Sequence, residues 1–138
     1  MTGNAAGDGV RERLEGAAEG LLFISESESP FEYVELPGEA PAELTADAVR
    51  AALGEAEDAP ASETTLDRWL AGHIEEADPA DPVAQENVAR FQALKGALTE
   101  CLADVKVFRV GDAQVRYYAL GRAPDGRVAG LSASALET

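Results

Sequence analysis

The chain has 138 residues and a formal net charge of −15, from 26 acidic against 11 basic side chains. This length fits one domain that buries about two-thirds of its unfolded surface. The charge excludes ordinary nucleic-acid binding, which needs lysine and arginine for the phosphates, and disfavours an anionic membrane surface. The acidity is accounted for either by solubility across a whole proteome or by attraction to a basic protein partner.

Residues 1–7, "MTGNAAG", are small and polar and read as a flexible N-terminus, with 8–138 as a single domain. Asp8 is a candidate cap for a helix that places Val10, Leu14, Ala17 or Ala18, Leu21 and Leu22 on one face. Gly20 weakens its last turn. "SESESP" then ends the apolar run, because Pro30 biases Ser29 away from helical backbone. "FEYVEL" alternates as a strand, with Phe31 and Tyr33 opposite Val34 and Leu36.

"TADAVRAALG" reads as a short helix capped by Thr45 and stopped at Gly54. "EAEDAPASE" reads as acidic loop. Thr64 or Thr65 opens a helical piece with Leu66, Trp69, Leu70 and Ile74. Asp81 and Pro82 supply an N-cap and a first helical residue for the clearest element. Its stripe runs through Ala84, Val88, Phe91, Leu94 or Lys95, Leu98, Cys101 and Leu102. "VKVFRV", "QVRYYALG" and "RVAGLSAS" follow as three strands with short connections at Gly111-Asp112 and "APDG", hence antiparallel neighbours. Four strands with helices from two regions predict a layered α/β domain.

The catalytic inventory is thin. His73 is the single histidine and reads as a packing or surface residue. Cys101 reads as a buried reduced thiol, and one cysteine excludes an intrachain disulfide. No phosphate loop or zinc spacing is present. "DPADP" carries Asp78 and Asp81 but lacks the ligand spacing of a calcium loop. "GLSAS" lacks the spacing of a nucleophile elbow. The expectation is a protein that is not an enzyme and needs no cofactor. With no membrane-length apolar run and no signal-peptide pattern, a cytoplasmic location is expected.

Glu26 and Glu28 alternate with Ser25 and Ser27 in "SESES", just past the expected helix end. A helix C-terminus is the wrong end for negative charge, so these carboxylates gain nothing there unless the turn donates backbone amides. They are either plain solvated acids or groups presented to a partner's cation or metal ion.

"GLLFISESESPFE" (Gly20 to Glu32) resembles the signature of the nuclease A inhibitor family, small acidic proteins that block a sugar-non-specific DNA/RNA endonuclease. "ENVARFQALKGAL" (Glu86 to Leu98), "VFRVG" (Val107 to Gly111), "GRAPDGRVAGLS" (Gly121 to Ser132) and the terminal "ET" extend the resemblance, which is weak from Gly38 to about Pro82. It implies a three-layer α/β/α sandwich similar to the pathogenesis-related type, with a mainly antiparallel four-stranded sheet. It also implies a magnesium-dependent non-specific endonuclease as partner, with no direct nucleic acid and no membrane, and a monomer when free. By motif position Glu26 would join the shell of the nuclease's magnesium, with Ser25, Ser27 and Glu28 beside it. The terminal Glu137 and Thr138 would enter the same interface. The family's third contact, in the loop before the long helix, has no residue-by-residue match in "HIEEADPADP". The weak middle region keeps an alternative open: an interaction module of the same fold whose partner is not a nuclease.

Overall fold

The computed structural model describes residues 2–37, 41–55, 58–75 and 78–136, with side chains from residue 9 onward. Helix α1 (Thr2–Ala18) is followed by strands β1 (Leu22–Ile24), β2 (Glu28–Pro30) and β3 (Glu32–Glu35). Helix α2 (Ala46–Ala52), strand β4 (Ala61–Thr64), and helices α3 (Leu66–Ile74) and α4 (Pro82–Cys101) come next. Strands β5 (Ala103–Gly111), β6 (Gln114–Arg122) and β7 (Val128–Leu136) end the order. β1 and β2 form a two-stranded ribbon; β3-β7-β6-β5-β4 form a five-stranded sheet in which every neighbouring pair is antiparallel.

The mixed α/β class and the three-strand meander β5-β6-β7 stand as expected. The four-stranded sheet does not. Ala61 to Glu63, expected as the end of an acidic loop, and Thr64, expected as a possible helix start, pair with Val107 to Val110 as a fifth, edge strand. The first helix differs as well. It starts at Thr2, which puts Asp8 inside it, and stops at Ala18. Gly20 adopts a left-handed φ of 78°, which only glycine takes without strain, and Leu22 to Ile24 leave as a strand. The physical reason is visible in the burial: Phe23 is buried while Leu22 and Ile24 face out, an alternation of period two.

The shorter helices follow their local chemistry. Thr45 accepts the Ala48 N–H and Thr65 accepts the Arg68 N–H, each capping its helix. At the end of α2 the Gly54 N–H reaches the Ala51 carbonyl and the Glu55 N–H reaches that of Arg50, closing a Schellman motif around Gly54. Asp81 caps α4 through the Val83 N–H.

Apolar cores lie on both faces of the sheet. Residues 115, 117 and 119 of β6 and 129, 131, 133 and 135 of β7 meet Leu14, Leu70, Phe91, Leu94 and Leu98 from α1, α3 and α4. The alternate residues Tyr118, Leu120 and Val128, with Phe108 and Val110 of β5, meet Val49 of α2 and Leu36 and Leu44. Leu94, not Lys95, continues the buried stripe of α4, and Lys95 instead forms an ion pair with Asp67. Tyr117 packs on the first face and Tyr118 on the second. β6 and β7 approach closely at Gly130, where a Cβ would lie 1.7 Å from the Ala119 carbonyl oxygen.

Candidate functional site

"SESES" forms the tip and second strand of the β1-β2 ribbon. Its register pairs Leu22 with Pro30, Phe23 with Ser29 and Ile24 with Glu28, which leaves Ser25, Glu26 and Ser27 as the connecting turn. The acids therefore do not sit at a helix C-terminus. The unfavourable dipole expected from the sequence is absent because α1 ends at Ala18, and strand β1 separates that end from the acids.

The serines hold this turn and the glutamates face water. Ser25 Oγ accepts the Ser27 N–H at 3.2 Å and, from across the fold, the Leu136 N–H at 3.1 Å. The Ser25 N–H donates to the Ser27 carbonyl at 2.8 Å, and the Glu26 N–H points to the Leu136 carbonyl at 3.4 Å. Ser29 is buried; its Oγ accepts the Ser134 N–H at 2.9 Å and donates to the Pro30 carbonyl at 3.1 Å. Thus Ser25 and Ser29 take up the amides of Leu136 and Ser134 at the end of strand β7, and the carboxylates between them, Glu26 and Glu28, are exposed.

A second anchor comes from the middle of the chain. His73 Nε2 accepts the Ile24 N–H at 3.0 Å, which makes this nitrogen the unprotonated one. The His73 ring lies 4.5 Å from that of Phe91 and 5.0 Å from that of Phe23. Phe23 also stacks on Trp69 at 5.4 Å and meets Tyr117 at 5.5 Å. The lone histidine is a packing residue that steadies the acidic ribbon. Nothing in the local sequence signals this partnership across 49 positions.

Of the residues singled out from the sequence, Ser25, Glu26 and Ser27 form the turn and Glu28 opens the strand that leaves it. Glu137 and Thr138 lie outside the described residues, although Leu136 immediately before them is bonded to the turn. Ser29 and Leu136 are positioning residues that sequence reading missed. The available signal was the unbroken serine alternation, which puts Ser29 on the buried face of an extended strand. Beside the turn opens a cleft of about 560 Å³, with Ser27, Gln114, Arg116, Ser134 and Leu136 among its lining residues.

Asp78 and Asp81 of "DPADP" serve local structure. Asp78 accepts the Ala80 N–H and Asp81 caps α4. Among the described residues no group of three or more histidine, cysteine, aspartate or glutamate side chains could hold a metal ion. Cys101 is a free thiol, half-buried at the end of α4. No helix among the described residues is long and apolar enough to cross a membrane.

The family model of the nuclease A inhibitor-like protein, NuiA, matches residues 8–138. The chain belongs to the nuclease A inhibitor-like family. The matched range includes the serine-glutamate turn, both of its anchors on α3 and β7, and the middle region from Gly38 to about Pro82. Membership assigns the chain to an inhibitor-like class with a nuclease as the general kind of partner. No curated protein matches the chain.

Proposed function

We propose that this protein is a non-catalytic inhibitor of a magnesium-dependent DNA/RNA non-specific endonuclease, and that the Ser25–Glu28 turn enters the nuclease active site. The observation that carries the reading is the division of labour in "SESES": serine hydroxyls bind the turn to β7 while Glu26 and Glu28 stand exposed. A carboxylate held this way reaches a metal cleft with little conformational entropy left to lose.

Glu26, at the tip, supplies a hard oxygen donor to an open position of the partner's magnesium, where scissile phosphate or water would otherwise bind. Glu28, Ser25 and Ser27 flank it. Glu137 and the carboxylate of Thr138 add anionic groups from the chain end, which follows directly on Leu136. The remaining acids oppose the basic groove that holds nucleic acid and raise the rate of encounter. In this reading the free protein is a cytoplasmic monomer, and its two cores around one sheet are the three-layer α/β/α sandwich of the pathogenesis-related type.

The test is a titration of the purified protein into a magnesium-dependent non-specific endonuclease while DNA and RNA cleavage are followed. Stoichiometric loss of both activities is expected. Full cleavage at micromolar protein, with no complex on a sizing column, overturns the proposal.

A further inference from the structure

Three large apolar side chains are exposed among the described residues: Leu22 at 38%, Ile24 at 51% and Val83 at 74%. Single exposed apolar residues are ordinary on a protein surface. Two of these, however, share the outer face of one three-residue strand, the strand that leads into Glu26. Their cross-strand partners are Pro30 and Glu28, both exposed, so the face reads Leu22, Ile24, Pro30 and one carboxylate.

This face is rigid. Phe23, between the two, is locked into the aromatic cluster with Trp69 and Tyr117, and the Ile24 backbone is held by His73. From Leu22 and Pro30 a groove of about 810 Å³ continues along α1. Its lining carries the carboxylates of Glu12, Glu15, Glu19 and Glu32, of which Glu15 is paired with Arg11 at 3.3 Å and Glu32 with Arg116 at 3.6 Å, so the acids outnumber the cations there.

We infer that Leu22, Ile24 and Pro30 form an apolar docking strip that seats against the wall of the nuclease cleft, receiving an apolar side chain flanked by lysine or arginine. The inference rests on the function proposed above. A strand rises about 3.3 Å per residue, so Ile24 stands roughly 7 Å behind Glu26 along the ribbon. A turn that carries Glu26 to a metal at the bottom of a cleft must bring Ile24 to the cleft's wall. Apolar burial there supplies affinity that survives salt, while the acids of the adjoining groove select a basic surround.

The test uses the full chain and a purified magnesium-dependent non-specific endonuclease, with binding followed by calorimetry at low and high salt. Ile24→Ser is expected to weaken binding roughly tenfold or more, Leu22→Ser severalfold, and each loss should persist at high salt. Ile24→Val should retain most of the affinity. Circular dichroism and urea midpoints confirm that the variants fold. Wild-type affinity in both Leu22→Ser and Ile24→Ser, while Glu26→Gln weakens binding, overturns the strip and leaves the proposed function standing. Absence of a complex with the unmodified chain overturns both.

Discussion

The hydroxyl of Ser25 accepts the backbone N–H of Leu136 at 3.1 Å, joining positions 111 residues apart. The last described residue of β7 is thereby fastened to the turn that displays Glu26, and the same hydroxyl also takes the Ser27 N–H. One oxygen organises both the shape of the acidic loop and its place on the sheet. A buried donor deprived of its acceptor costs about 1–3 kcal/mol.

Ser25→Ala and Ser29→Ala should therefore each destabilise the fold by about 1–2 kcal/mol, through the orphaned amides of Leu136 and Ser134. Ser27→Ala should cost less, since its hydroxyl makes only a 3.5 Å contact with Ser25 Oγ. Urea midpoints rank the three. A Ser25→Ala protein that still folds should also inhibit nuclease more weakly, because its carboxylates are no longer held in one place.

Glu26→Gln should leave the urea midpoint unchanged, as the side chain is exposed, and should weaken nuclease binding by more than about 1 kcal/mol. Glu28→Gln, one strand position back from the tip, should cost less. Dissociation constants from calorimetry decide the order; equal and negligible effects remove Glu26 from the metal shell.

Deletion of Glu137 and Thr138 should barely move the thermal midpoint, since the terminal residues of a domain are normally frayed and disposable. Inhibition should fall, because the α-carboxylate is then carried by a different residue nearer the sheet. A bulky C-terminal tag should act the same way. Undiminished inhibition by a folded, tagged protein excludes the chain end from the interface.

Stability should decline in strong alkali. Burial, together with the 2.7 Å hydrogen bond to Glu55, pushes the Tyr118 hydroxyl well above the usual tyrosine range. Burial and the bond to Glu35 do the same to Tyr33. A folded-state pKa raised above the unfolded value of about 10 means stability fully present below that pH and lost as pH rises beyond it. Urea midpoints at pH 8 and pH 11 should differ, and Tyr118→Phe should flatten the difference while keeping the part due to Tyr33.

The elements that were legible from sequence are those whose own side chains carry a period. Val88, Phe91, Leu94 and Leu98 are spaced as a helix stripe and become one. β5, β6 and β7 alternate between two faces and are joined by short turns, so their pairing could be read locally. The serine-glutamate turn was legible as a motif for a different reason, its unusual residue order, and family membership agrees with it.

Tertiary structure decided the rest. "ASET" has no large apolar residue to mark a strand; it becomes one because β5 has an open edge for Ala61 to Thr64 to pair with. "LLFI" satisfies a helical face as well as an extended one. The choice falls to Gly20's left-handed φ and to a pocket between Trp69, Tyr117 and His73 that takes Phe23 alone. Composition and motif order determined that the chain is acidic, α/β and presents paired glutamates. That those glutamates stand on a braced ribbon rather than at a helix end was decided by this packing of Phe23 together with long-range hydrogen bonds to His73 and β7, which no local period encodes.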